Sequence, residues 1–167
     1  MAANEQLVDV GTKIRWTDSS GDEVLALQNL AFQTGVQGNI HDWGASPRPY
    51  RYHCKLRMSC NAGTTVGETI LLVYLIEAGL DASETDPTND DGDGVLSSRD
   101  KLSNLLFIGA LTNDQNAAFT EYGKEFVFEC FSRHFGIVVW NEIISAGLEN
   151  VANLSYVDVW PTPDEVE

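Results

Sequence analysis

The chain has 167 residues, of which 43% are hydrophobic and 10% aromatic. This length and composition predict one globular domain, residues 1–167, with a sizeable apolar core, and they exclude a chain that is disordered throughout. The 25 Asp and Glu residues outnumber the 10 Lys and Arg residues, so the formal net charge is −15. So acidic a chain repels phosphates, which argues against nucleic-acid binding. It contains no run of 18 apolar residues, and we therefore predict no membrane-spanning segment.

The first part of the chain consists of short β-like runs separated by turn-forming residues. Residues 1–20 are mostly polar and are predicted to form an N-terminal arm, although residues 12–16 alternate weakly between apolar and polar. Residues 23–28 and the glycine-punctuated segment 35–44 are the next strand candidates.

Residues 50–60 show the clearest alternation in the chain, which predicts a strand with one buried and one exposed face. The predicted inward face collects the side chains Tyr50, Tyr52, Cys54, Leu56, Met58 and Cys60. The predicted outward face collects the side chains Arg51, His53, Lys55, Arg57 and Ser59. In a chain with so few cations, Arg51, Lys55, Arg57 and the nearby Arg48 are a concentration of positive charge. We interpret these four as partner-binding residues for an acidic surface; an ordinary solvated strand face is the alternative.

The second half of the chain continues the β pattern. Residues 69–78 are apolar on both faces, which predicts a central strand that is covered on each side. Further strands are predicted at residues 105–111, 125–131, 137–141 and 154–160. About nine short strands without a repeat indicate an all-β protein, and a jelly-roll-like β-sandwich is the favoured architecture. Residues 161–167 are predicted to be an extended, acidic C-terminal tail.

One short helix is predicted after residue 96. Ser97 is a candidate N-cap, and Asp100 follows it at the position that completes a capping box. The apolar face of this helix would consist of Leu102, Leu105 and Leu106. The alternative is that residues 101–106 begin the next strand.

Residues 89–100 partly match a twelve-residue calcium-binding loop. Asn89, Asp91 and Asp93 occupy the first three ligand positions, Gly94 the turn position and Asp100 the last ligand position. Two features weaken the match: the first ligand is Asn, and the last is Asp where a bidentate Glu is usual. The segment before the loop also reads as a strand end, where a helix is normal. An acidic turn between strands is therefore the favoured interpretation, and no metal ligand is predicted.

The sequence contains no recognisable catalytic or cofactor-binding motif. The three histidines, His41, His53 and His134, have neither zinc-site spacing nor a nucleophile elbow near them, and each is predicted to be a surface or loop residue. Phosphate-binding glycine loops are also absent. We therefore predict no catalytic residues, no cofactor and no enzymatic activity.

The cysteines and tryptophans are interpreted as packing residues. An odd number of cysteines, Cys54, Cys60 and Cys130, without a signal-peptide pattern predicts synthesis in a reducing cytosol and buried thiols. Most of the four tryptophans are predicted to pack in the core or between subunits. A sugar-stacking platform is the alternative for the aromatic set Trp16, Trp43, Trp140, Trp160, Tyr50, Tyr52 and Tyr156.

Two stretches of the C-terminal half resemble small structural proteins of tailed bacteriophages. The first is Leu-Ser-Ser-Arg-Asp-Lys-Leu-Ser-Asn-Leu-Leu-Phe-Ile-Gly at residues 96–109. The second is Phe-Gly-Ile-Val-Val-Trp-Asn at residues 135–141, followed by Gly-Leu at 147–148 and Val-Asp-Val-Trp-Pro at 157–161. Trp140 and residues 142–144 depart from the pattern of these proteins. The motifs concern packing and turns rather than chemistry.

The resemblance implies a virion component on the capsid exterior, made in the host cytoplasm. A decoration (cement) protein is the first expectation: it would bridge major capsid protein subunits, as a homo-oligomer for which a trimer is favoured. A head-completion or tail component of the virion is one alternative. A calcium-dependent carbohydrate-binding β-sandwich is another, and a small enzyme using His41 or His134 is a weaker one.

Overall fold

The computed structural model describes residues 13–18, 20–44, 49–59, 69–77, 94–112, 121–142, 148–149 and 151–162. In this part of the chain there are eleven strands and one 3₁₀ helix at Arg99–Asn104. The strands are β1 (Ile14–Thr17), β2 (Glu23–Val24), β3 (Gly35–Gln37), β4 (His41–Asp42), β5 (Arg51–Ser59), β6 (Thr69–Glu77), β7 (Gly94–Leu96), β8 (Leu106–Thr112), β9 (Glu121–Glu129), β10 (His134–Asn141) and β11 (Tyr156–Pro161).

The strands form two sheets with the connectivity of a jelly roll. One sheet has five strands in the order β2-β1-β11-β5-β9, and the other has the order β7-β3-β10-β6-β8, with β4 also paired to β10. When β2, β4 and β7 are set aside, the other eight strands form nested pairs: β1 with β11, β3 with β10, β5 with β9, and β6 with β8. This nested pairing, alternating between two sheets, is the jelly-roll arrangement. The predicted all-β sandwich is confirmed.

The main core lies between the two sheets, and the alternation of β5 supplies part of it. Tyr52, Cys54, Leu56 and Met58 are all fully buried, as predicted. They face residues of the six-stranded sheet such as Phe135, which is also fully buried. Because side chains alternate along a strand, the apolar row of β5 lies in the core, and the other row of β5 lies on the outer side of the sheet.

The six-stranded sheet is covered on its second face as well. Leu72 and Ile76 of β6 belong to a separate apolar cluster that also contains Trp140 and Leu102. Leu102 comes from the 3₁₀ helix, which therefore packs over the outer face of this sheet. The continuous apolar run of β6 is explained by this double coverage, as the sequence predicted.

The helix differs in detail from its prediction. It is a 3₁₀ helix, and its N-cap is Ser98, whose hydroxyl accepts a hydrogen bond from the Asp100 N–H, so the prediction of Ser97 as the cap is wrong. Leu106 belongs to β8 and is 54% exposed, so its predicted place on the buried helical face is wrong too. The chain leaves the helix at Leu105, one residue before the predicted apolar face would be complete.

Both ends of β5 also depart from the alternation predicted for residues 50–60. Ser59 was predicted to face outward but is buried, because its hydroxyl donates to the Glu149 carboxylate at 2.9 Å and its N–H donates to Ser155 Oγ. Tyr50 was predicted to face inward but is 41% exposed, since it lies before the first residue of β5 and stacks on Phe131.

Several predicted features lie wholly or partly outside the described residues. These are Arg48, Cys60, the first five residues of the candidate calcium loop, most of the acidic tail, and residues 1–12 of the predicted N-terminal arm. From Ile14 the arm segment is β1, an interior strand of the five-stranded sheet whose Trp16 is fully buried.

Gly21 gives a direct test of the turn between β1 and β2. A Cβ at this position would lie 2.5 Å from the Arg15 carbonyl oxygen and 3.0 Å from that of Glu23, and neither backbone atom can move without breaking the sheet. We expect Gly21→Ala to lower the free energy of unfolding by about 2 kcal/mol. Gly123→Ala is the matched control, because its Cβ would meet only Leu56 O at 3.7 Å. Urea denaturation measures the free energy of unfolding of both variants. Equal losses for Gly21→Ala and Gly123→Ala would contradict the close backbone contacts at Gly21.

Candidate partner-binding face

The outer face of the five-stranded sheet is built by the neighbouring strands β1, β11, β5 and β9. Their antiparallel register aligns outward side chains in rows, so that Arg15, Asp158 and Lys55 lie side by side across three strands. Trp160, His53 and Val127 form the next row. We call this surface the basic face; it consists of Lys13, Arg15, Arg51, His53, Lys55, Arg57, Glu125, Val127, Glu129, Tyr156, Asp158 and Trp160.

Asp158 anchors one side of the basic face. Its carboxylate accepts hydrogen bonds from Arg15 Nε at 2.6 Å and from the Arg15 terminal nitrogen at 2.7 Å, and Lys13 Nζ donates to it at 3.2 Å. The Asp158 side chain is only 7% exposed. These hydrogen bonds raise the pKa of the Arg15 guanidinium, which therefore stays charged. Arg15 is consequently a rigid part of the face.

Tyr156 holds two arginines close to the sheet. The guanidinium carbon of Arg15 lies 4.0 Å from the centre of the Tyr156 ring, and that of Arg57 lies 5.8 Å from it. Both distances are within the range of cation–π attraction. Two of the cations thus share one aromatic ring. Because this contact already restricts both side chains, they have fewer conformations to lose when a partner binds.

The predicted partner-binding residues occupy different parts of this face. Arg51 is exposed at one end, where β5 begins. Lys55 is half-buried near the middle, with Nζ 3.8 Å from Glu125 Oε1, and Arg57 lies beyond it beside Tyr156. The structure therefore brings these three onto one surface, as the alternation predicted, while Arg48 lies outside the described residues.

The face has a local charge opposite to that of the whole chain. Among the side chains that the structure describes, it contains five cations, Lys13, Arg15, Arg51, Lys55 and Arg57, and three carboxylates, Glu125, Glu129 and Asp158. Its formal charge is therefore +2, and the rest of the chain, with a total of −15, carries −17. Half of the ten cations of the chain thus lie on one face of one sheet. Such a separation of charge favours acidic partners and orients them on approach.

An apolar rim borders the Arg51 end of the basic face. Tyr50 and Phe131 stack with ring centres 5.7 Å apart and planes 6° apart, and they are 41% and 66% exposed. Val127, inside the face, is 55% exposed. We call Tyr50 and Phe131 the apolar rim. Exposed aromatic side chains next to an arginine are the residue types that dominate binding energy in protein interfaces.

Sequence reasoning missed the contributions of β1, β11 and the rim. Lys13, Arg15, Tyr156 and Trp160 lie far from residues 51–57 in sequence and reach the face only through the register of β1, β11 and β5. Residues 125–131 do alternate in the sequence, and Val127, Glu129 and Phe131 fall on one side of that alternation. This pattern does not say which side faces outward, so it indicates the exposed position of Phe131 only in part.

Two of the histidines lie beside carboxylates. His41 Nδ1 lies 2.7 Å from Glu23 Oε1. His134 is buried in β10, with Nε2 3.5 Å from Asp42 Oδ1, so its prediction as a surface or loop residue is wrong. Arg133 binds the same carboxylate through two nitrogens and holds the pKa of Asp42 well below its usual range.

The candidate chemistry of the remaining motifs is limited. Among the described residues, no three His, Cys, Asp or Glu side chains are grouped so as to hold a metal ion. The later part of the candidate calcium loop forms β7 and the start of the 3₁₀ helix. Trp16 and Trp140 are buried core residues, as most tryptophans were predicted to be, whereas Trp160 lies half-buried against His53 on the basic face.

In the described residues no helix has both the length and the apolar character needed to cross a membrane. No protein-family model matches the chain, and no curated protein matches it either.

Proposed function

We propose that this chain is a non-enzymatic structural protein of a tailed-phage virion, a capsid decoration (cement) protein that stabilises the head by bridging major capsid protein subunits. The resemblance of residues 96–109 and 135–161 to small phage structural proteins supports this proposal. The jelly-roll sandwich also supports it as a rigid scaffold, since this architecture recurs in viral shells, although a fold alone does not determine a function.

The difference between the outer faces of the two sheets is the observation that carries the proposal. The six-stranded sheet is covered by the 3₁₀ helix, whose Leu102 completes an apolar cluster. The basic face of the other sheet has no described helix over it. It combines cations, half-buried aromatic rings and the apolar rim. A sheet face of this composition is suited to docking against an acidic protein surface rather than to enclosing a small substrate.

Docking of this kind is sufficient for the proposed activity. A protein that binds only the assembled shell stabilises that shell by mass action, in proportion to its affinity and concentration. A stable interface buries roughly 1,600 Å² in total. The basic face and its apolar rim offer the residue types, aromatic and arginine, that supply most of the energy of such interfaces.

The proposal is tested first by locating the chain in particles. We expect a reconstruction of heads purified from the phage that encodes this chain to show it on the outer surface, and quantitative mass spectrometry to give hundreds of copies per particle. About six or twelve copies would instead identify a head-completion or tail component, the alternative that shares the same composition. Absence from particles would overturn both.

A charge-reversal variant tests the role of the basic face. We expect Arg51→Glu/Lys55→Glu/Arg57→Glu to bind heads assembled without the protein roughly 100-fold more weakly at low salt, because it turns an attractive surface into a repulsive one. Sedimentation of heads with labelled protein measures this. The difference from the wild type should shrink as salt is added, since exposed charges are screened.

A matched variant separates the face from total charge. Arg99→Glu/Lys101→Glu/Arg133→Glu also replaces two arginines and one lysine, but these residues lie on the 3₁₀ helix and beside β4. It should bind heads within about threefold of the wild type, because surface ion pairs contribute little to stability and these charges lie off the docking face. Equal binding by the wild type and both variants, at low and high salt, would exclude the basic face as the docking surface.

A further inference from the structure

Arg15 uses only part of its guanidinium group within the fold. Its Nε and one terminal nitrogen donate to the two carboxylate oxygens of Asp158, at 2.6 and 2.7 Å. A guanidinium has five N–H donors, so these two bonds leave three, all of them on the two terminal nitrogens at the end of the side chain. Among the described residues no acceptor binds these three donors, and the Arg15 side chain is 35% exposed. Asp22, which is near in sequence, accepts a hydrogen bond from the Arg15 backbone N–H instead.

Tyr156 and Asp158 hold these donors in place. The guanidinium carbon of Arg15 lies 4.0 Å from the centre of the Tyr156 ring, so the aromatic ring contacts the group while Asp158 binds its side. Asp158 lies opposite Arg15 in the register of β1 and β11, and its side chain is 7% exposed, which keeps the carboxylate fixed in the sheet. Because two different contacts already restrict the guanidinium, it loses little conformational entropy when a ligand binds.

The charge around Arg15 favours an anion. Lys13 Nζ also donates to Asp158, at 3.2 Å, so two cations share one carboxylate and these three residues together carry a net charge of +1. A second carboxylate at the end of the Arg15 side chain would make the group neutral. A carboxylate also has the right geometry for this position, because its two oxygens accept two parallel N–H···O bonds from a guanidinium.

We propose that the terminal nitrogens of Arg15 bind the carboxylate of an Asp or Glu side chain of the docking partner, with Tyr156 and Asp158 as positioning residues. This inference rests on the proposed function, because it names the chemical group that the basic face takes from an acidic protein surface. It also makes Arg15 more than a source of charge. A lysine has the same charge but a single ammonium group, which cannot form the paired bonds of a guanidinium.

Two substitutions on the basic face separate paired bonding from charge. Arg15→Lys keeps the net charge and should weaken binding to heads assembled without the protein about tenfold, because the paired bonds are lost. Lys55→Gln removes one charge and should weaken binding only about twofold, since an exposed charge contributes little by itself. A face that acts through net charge alone would give the opposite order. Arg99→Lys is the matched control: Arg99 lies on the 3₁₀ helix, away from the face, and binding should stay within about twofold of the wild type.

Variants of Tyr156 test its positioning role while the bonds between Arg15 and Asp158 remain. Tyr156→Leu should weaken binding to heads about fivefold, because it removes the ring beside Arg15, and Tyr156→Phe should bind within about twofold of the wild type, because it keeps a ring. The combination Arg15→Lys/Tyr156→Leu should bind within about twofold of Arg15→Lys alone, since Tyr156 acts through Arg15. Urea denaturation shows which variants are folded, and the Tyr156 pair decides the question if Arg15→Lys does not fold.

A solution experiment without heads tests the chemistry of the ligand. The probe is acetyl-hexaglutamate amide, and acetyl-hexaglutamine amide is its neutral control. In ¹⁵N NMR spectra of the wild type, the terminal guanidinium signals of Arg15 should shift with the glutamate peptide and stay unchanged with the glutamine peptide. Tyr156→Leu should need about fivefold more glutamate peptide for half of the shift.

Each other outcome counts against one of the two proposals. Equal binding to heads by the wild type and a folded Arg15→Lys would overturn the carboxylate inference alone, since the face would then act through charge. Arg15 signals that do not respond to the glutamate peptide would overturn it too, whether a carboxylate of the same chain or water occupies the terminal nitrogens. A folded Tyr156→Leu that binds like the wild type would contradict the positioning role and the inference with it. A chain that shows the Arg15 shifts but is absent from particles overturns only the proposed function.

Discussion

Replacing Phe135 with alanine should lower the free energy of unfolding by about 4 kcal/mol, the largest loss expected from any single change considered for this protein. Phe135 is fully buried at the centre of an aromatic cluster between the sheets. Its ring centre lies 5.7 Å from that of Trp16, 5.2 Å from that of Tyr52 and 6.0 Å from that of Phe128. These neighbours come from β1, β5 and β9 of the opposite sheet, so the cavity would loosen the contact between the sheets.

The matched control is the same substitution on the surface. Phe131→Ala removes an equal side chain that is 66% exposed, and it should change the free energy of unfolding by less than about 0.5 kcal/mol, apart from its stacking on Tyr50. Urea denaturation monitored by tryptophan fluorescence gives both values. Similar losses for the two variants would mean that Phe135 does not join the two sheets.

The fold was predictable because its strands carry their own patterns. The alternation of residues 50–60 and the double-sided apolar run of residues 69–78 correspond to β5, with one face buried, and β6, with both faces buried. The departures are found where local pattern and tertiary contacts compete. Ser59 is polar yet buried, because Glu149 and Ser155, about 90 residues later, supply its hydrogen bonds.

The candidate face was predictable only for the strand that has the strongest alternation. The outward positions of β5 are visible in a single run of sequence. By contrast, the link between Arg15 and Asp158 joins residues 143 positions apart, and it depends on β11 lying between β1 and β5. A one-residue change in that register would turn Asp158 into the core. Local sequence does not contain this information, so the positions of Arg15 and Asp158 on the basic face could be found only from the structure.

Cys54 should make the stability of the protein fall in alkaline solution. Its side chain is fully buried on the inward side of β5, and burial, with a smaller contribution from the charge of Asp158, raises the pKa of the thiol from 9.0 to about 12. Above pH 9 the unfolded chain loses this proton while the folded chain keeps it. The contribution of the neutral thiol is therefore fully present below pH 9 and decreases by about 1.4 kcal/mol for each pH unit up to about pH 12.

Urea denaturation of the wild type and Cys54→Ala between pH 8 and pH 11 isolates this contribution. At pH 8 the wild type should be more stable, by about 1–2 kcal/mol, because alanine leaves a small cavity. That difference should shrink steadily above pH 9 and disappear or change sign by pH 11, since the variant has no thiol to ionise at this position. Cys130→Ala, which removes another buried thiol, should retain the decline due to Cys54. If the difference between the wild type and Cys54→Ala is constant over the whole range, Cys54 ionises equally easily in the folded and unfolded chain, and its enclosure between the sheets is wrong.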